Sequence, residues 1–108
     1  MKVGDKMILT KAIQHYGKES QVDMCIEEMS ELTKALLKER RCKNKDKETS
    51  AYYRKCVDDI IEEIADVQIM LDQMTIVFDN GGFAVDRVRA MKVERLKDRI
   101  AKDEKEQG

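Results

Sequence analysis

Between Asp58 and Met74, in DDIIEEIADVQIMLDQM, apolar residues return at Ile60, Ile64, Val67, Leu71 and Met74. That i, i+4, i+7 spacing marks the side of a helix that packs into a core. Glu63 and Asp66 lie on or beside this same side, where an unpaired charge is costly. An earlier stretch repeats the phase without a gap: EEMSELTKALL from Glu27 aligns with EEIADVQIMLD from Glu62. At roughly 100° per residue, Leu32, Cys25, Leu36 and Met29 fill one flank of Glu28, and Ala35 and Met24 the other. Glu31 stands at the rim, while Glu27, Ser30, Lys34 and Lys38 fall on the opposite, wet side. On the later helix Val67, Ile60, Leu71 and Ile64 flank Glu63, with Met70 and Met74 close by. Asp66 takes the place of Glu31, Asp59 shares the stripe one turn earlier, and Glu62 and Asp58 point outward. Two copies do not make a solenoid. They describe one surface built twice, on two helices that face each other.

The pattern predicts four helices. The first runs from about Lys6 to Tyr16, with Asp5 as N-cap and Gly17 as the stop. The second runs from about Ser20 to Arg41 and spans about 30 Å, Ser20 and Asp23 forming a weaker capping box. RRCKNKDKETS has no periodicity and predicts a mobile connection, long enough to cross the bundle or to act as a lid. The third helix starts between Ser50 and Val57 and ends near Asn80, where DNGG breaks it. The fourth runs from about Ala84 to Lys102, with a fraying AKDEKEQG tail. Short links favour antiparallel neighbours, so the expectation is an all-α four-helix bundle in one domain spanning residues 1–108.

Composition supports this picture and narrows the chemistry. Charged residues are 40% of the chain and proline is absent, which favours helix nearly everywhere, while 42% hydrophobic residues suffice for a core. Against 22 acids stand 21 Lys and Arg, so no basic surplus exists to bind a nucleic acid polymer. No segment reads as a signal peptide or a membrane span. Cys25, Cys42 and Cys56 are an odd count without a CxxC pair, neither a disulfide framework nor a zinc site, and suit a reducing cytosol. The expectation is a soluble cytoplasmic protein with no membrane partner.

If the two matched faces pack together, Glu28, Glu31, Glu63 and Asp66 converge. Two like charges 4 Å apart repel by about 4 kcal/mol at an effective dielectric of 20, so protons or cations must neutralise them. An all-oxygen set suits Mg2+ or Mn2+. Di-iron bundles want ExxH pairs, and His15, the single histidine, lies far from both motifs. One ExxE spacing alone is commonplace on a solvated helix; two in the same phase, each enclosed by aliphatic residues, are not.

Glu28-x-x-Glu31 in EEMSELTKALLK, followed by Glu63-x-x-Asp66 in EEIADVQIML, resembles the MazG-like nucleoside triphosphate pyrophosphohydrolases. The likeness covers roughly Gln14 to Ile100. It implies a four-helix bundle assembled as a homodimer or homotetramer. It also implies Mg2+-dependent cleavage of a nucleoside or deoxynucleoside triphosphate between the α- and β-phosphates, giving a monophosphate and pyrophosphate, in the house-cleaning of the nucleotide pool. Carried over residue by residue, Glu28, Glu31, Glu63 and Asp66 match the family's metal ligands, and Lys92 and Arg99 its basic positions. The chain departs from the family at Leu96, where an Asn is frequent, and in a longer spacer between the two motifs.

The fourth helix fits that role, because Lys92, Arg95 and Arg99 form one stripe bordered by Val85, Val88, Met91 and Leu96. These cations would bind substrate phosphates, whereas Arg87, Arg89 and Lys97 face solvent. A water whose pKa a cation lowers would be the nucleophile, and Glu31 first, Glu63 second, would take its proton. His15 and Tyr16, or Tyr52 and Tyr53, would stack on a base or serve as packing residues. The seven methionines are expected in the core and at subunit interfaces. DNGGF lacks the P-loop pattern. Two alternatives stand beside this reading: a phosphoribosyl-ATP pyrophosphohydrolase, and a non-enzymatic interaction module whose paired acids bridge to the basic fourth helix.

Overall fold

A computed structural model describes residues 1–45 and 50–107. It contains four helices, α1 (Val3–Tyr16), α2 (Lys18–Lys45), α3 (Ala51–Phe78) and α4 (Phe83–Gln107), and no strand among the described residues. Helix type and order match the pattern, as do the end of α1, both ends of α3 and the start of α4; the remaining ends differ. α1 begins before Asp5, which sits in its first turn, and Lys2 occupies the cap position without a side-chain hydrogen bond. Ser20 lies inside α2 rather than capping it. α2 also runs on to Lys45, so much of RRCKNKDKETS is helical; residues 46–49 of the expected connection lie outside the described residues. At 1.5 Å per residue, α2 and α3, each of 28 residues, are about 42 Å long. The tail expected to fray is helical to Gln107.

Three local devices set the ends. Gly17 adopts φ 95°, a left-handed region costly for other residues, and its N–H bonds Ile13 O at 2.8 Å, ending α1 as α2 starts. Ser50 is extended, and its Oγ accepts from Tyr53 N at 3.0 Å, capping α3. Between α3 and α4, Gly81 and Gly82 take φ 100° and 75°, and Asp79 Oδ2 accepts from Val85 N at 2.8 Å.

The α2–α3 pair carries most of the packing. It is antiparallel: Gln21 meets Gln73, Glu28 meets Glu63, and Cys42 meets Cys56. Its buried residues are Gln21, Cys25, Cys42, Cys56, Val67, Met70 and Gln73. α1 lays half-buried Leu9, Ala12 and Ile13 on this pair. Among the described residues α4 makes only slight contact with the other helices, and none of its residues is buried. The radius of gyration is accordingly 18.1 Å, against about 13 Å for a compact domain of this size. The compact bundle is thus realised within one chain only for α1 to α3. No described helix is long and apolar enough to cross a membrane.

Candidate functional site

The two acidic motifs meet at the middle of the α2–α3 interface. Glu28, Glu63 and Asp66 each bring a carboxylate oxygen within 4.8 Å of the other two. Glu28 and Glu63 are half-buried and Asp66 is exposed. Antiparallel packing of two helices with one shared phase is what brings these positions together. The Oε2 atom of Glu63 is sealed from solvent and has no hydrogen-bond partner among the described residues. Such an orphaned oxygen is expensive unless a proton or a cation meets it. Burial first, then the neighbouring charges of Glu28, Asp66, Glu31 and Glu62, push the Glu63 carboxyl above its usual range. Burial likewise raises Glu28, followed by Asp66, Glu27 and Glu31. Two acids are thereby biased toward holding protons, and a divalent cation would compete for the same place. The donors are all carboxylate oxygens, so they fit a hard cation.

Glu31 is close enough to repel both Glu28 and Glu63 but stands outside the group of three. It is held at the rim by Lys34 Nζ at 3.3 Å. From there a cleft of about 380 Å³ opens along the hairpin, walled by Glu31, Glu63, Asp59 and Cys56 and by the cations Lys34, Lys38 and Arg41. Asp59 accepts an ion pair from Lys55 at 3.6 Å. Lys38 is half-buried, with its ammonium 5.9 Å from the Tyr52 ring centroid. Tyr53 donates its hydroxyl proton to Glu39 Oε1 at 2.8 Å, fastening the start of α3 to α2. The cleft therefore presents anionic oxygens at one end and cations along its side.

Lys34 and Lys38 were expected on the wet side of α2 and instead border this cleft. The signal was present in Glu31, Lys34, Lys38 and Arg41, which recur at i, i+3, i+7 and i+10. Wheel geometry assigns such flank positions to solvent until the partner helix is placed beside them. Glu62, expected to point outward, also reaches the cleft mouth. The fourth-helix cations lie elsewhere: Lys92, Arg95 and Arg99 are exposed, and none lines the cleft of its own chain. Lys92 instead borders an open apolar groove on α4 with Val85, Val88, Val93 and Leu96. His15 and Tyr16 pack edge to face at 4.7 Å, exposed at the end of α1. Of the methionines Met70 is buried, while Met24, Met29 and Met91 are exposed beside other apolar residues. Cys25, Cys42 and Cys56 are free thiols, and Cys42 meets Cys56 across the helices, a contact that the sequence pattern did not indicate. No family model, curated protein or solved structure matches this chain.

Proposed function

We propose that this chain is a Mg2+-dependent, or Mn2+-dependent, pyrophosphohydrolase of nucleoside triphosphates, of the MazG-like kind. The observation that carries the reading is the meeting of Glu28, Glu63 and Asp66, in which Glu63 has one oxygen that is buried and unpartnered among the described residues. Glu28, Glu63 and Asp66 would hold the cation, with Glu31 as the further candidate ligand beside them. A bound divalent cation supplies charge neutralisation for the triphosphate and lowers the pKa of water. Glu31, at the rim and solvent-accessible, is placed to accept the proton of the attacking water; Glu63, sealed at one oxygen, is the less accessible base. Lys38 and Arg41 along the cleft offer the triphosphate a cationic wall, and they stabilise charge on the departing pyrophosphate.

Lys92, Arg95 and Arg99 join this site only if α4 of another copy crosses it. Support for such an assembly comes from α4 itself, where Val85, Val88, Met91 and Leu96 are all more than 40% exposed. An apolar stripe of that length on a soluble helix marks a contact surface. A homodimer or homotetramer is therefore part of the proposal. A purely structural module would also use the α4 stripe, but it gives the orphaned Glu63 oxygen no partner among the described residues.

The test is a panel of common and damaged nucleoside triphosphates, together with phosphoribosyl-ATP, incubated with protein and Mg2+. Pyrophosphate and a monophosphate are expected, with activity lost in Glu63→Gln. Turnover of phosphoribosyl-ATP alone would redirect the substrate. Folded protein that releases no pyrophosphate from any of them would refute the proposal.

A further inference from the structure

The sulfur atoms of Cys42 and Cys56 meet between two helices, 2.6 Å apart. Both residues are buried, at 4% and 2% exposure. Two thiols that meet across a pair of helices each have the partner that a disulfide requires. Cys42 sits in the last turn of α2 and Cys56 in the second turn of α3, positions fixed by the antiparallel register and by the Tyr53–Glu39 hydrogen bond nearby. Cys56 also forms part of the cleft wall. Cys25, by contrast, is buried away from this pair.

We propose that Cys42 and Cys56 are a peroxide-oxidisable dithiol whose disulfide fastens the end of α2 to the start of α3. The inference is independent of any catalytic role for the cleft. In the first step Cys56, having released its proton to solvent, attacks one oxygen of hydrogen peroxide. The O–O bond breaks, Cys56 becomes a sulfenic acid, and the leaving hydroxide takes up the proton as water. Cys42 then attacks the sulfenic sulfur; the S–S bond forms, the S–O bond breaks, and the hydroxyl leaves as a second water with the Cys42 proton. Two thiols lose two electrons and the peroxide gains them. The hydrogen bond to Cys42 and burial hold the Cys56 thiol above its usual range, with Lys38 opposing, so oxidation is slow compared with that of an exposed thiolate.

The intact protein is treated with excess hydrogen peroxide, quenched by alkylation under denaturing, non-reducing conditions, and analysed by mass spectrometry. The expected product has lost two hydrogens, retains one alkylatable cysteine, Cys25, and yields a peptide linking Cys42 to Cys56 that dithiothreitol separates. Cys25→Ser should leave this product unchanged, whereas Cys42→Ser and Cys56→Ser should each abolish it. If a serine variant fails to fold, peptide mapping of the parent protein decides. The proposal is overturned by oxygen adducts on single cysteines, by links between chains, by a linked peptide containing Cys25, or by an unreacted native protein whose denatured form oxidises.

Discussion

Gln21 and Gln73 are 6% and 3% exposed, and the amide of Gln21 donates to Gln73 Oε1 at 2.7 Å across the α2–α3 interface. Each lies seven residues beyond an acid of the site, Gln21 before Glu28 and Gln73 after Asp66, so the pair fixes the register that brings those acids together. Replacing Gln73 by leucine strands the buried amide of Gln21, at a cost of about 1–3 kcal/mol. It also frees Met70 Sδ from a weak contact with Gln73 Nε2 at 3.6 Å. The added apolar burial of a leucine, about 1.5–3 kcal/mol when complete, offsets part of that cost. The diagnostic quantity is therefore the coupling in a double-mutant cycle. Gln21→Leu with Gln73→Leu strands no amide, so it should be more stable than the two single effects predict, by about 0.5–3 kcal/mol. Urea unfolding followed by far-UV circular dichroism, at one fixed protein concentration, measures all four proteins. In thermal melts each 1 kcal/mol corresponds to about 4–8 °C for a domain of this size. Simple additivity would refute the claim that this hydrogen bond joins the helices.

Three further predictions concern charge, cation binding and assembly. Glu28 and Glu63 have raised carboxyl pKa values, so without divalent cations the folded chain binds their protons more tightly than the unfolded chain. Their contribution to stability is present at acid pH and is lost as pH rises through the raised values; in chelator, the parent should gain on Glu28→Gln/Glu63→Gln as pH falls from about 7 toward 5. At neutral pH, Mg2+ at 100 times its dissociation constant should stabilise the parent by about 2.7 kcal/mol and leave that variant unmoved; an equal response in both would refute the cation site. For the α4 surface, Val88→Glu/Leu96→Glu should reduce the light-scattering mass to that of one chain while helical content is kept. A parent protein that already has the single-chain mass would refute the assembly.

Local pattern made the helices and the two acidic faces legible. The 3.6-residue period of the apolar positions marked α2 and α3, glycines marked two of the breaks, and the matched phase of Glu28 and Glu63 anticipated that those two acids would meet. Helix ends were harder to read, because Asp5 and Ser20 have the chemistry of caps but sit where the chain is already helical. Wheel geometry also misjudged Lys34 and Lys38. A position on the flank of one helix is solvent or cleft wall according to where its neighbour lies.

By itself, then, the sequence determined helix number, order and type, and which acids share a face, since these follow from side-chain spacing along a single helix. Only the tertiary structure decided that Cys42 would touch Cys56, that Lys34 and Lys38 would border the cleft, and that α4 with Lys92, Arg95 and Arg99 would leave its own chain's core. Those outcomes depend on the register and separation of elements far apart in the chain, which no local periodicity encodes.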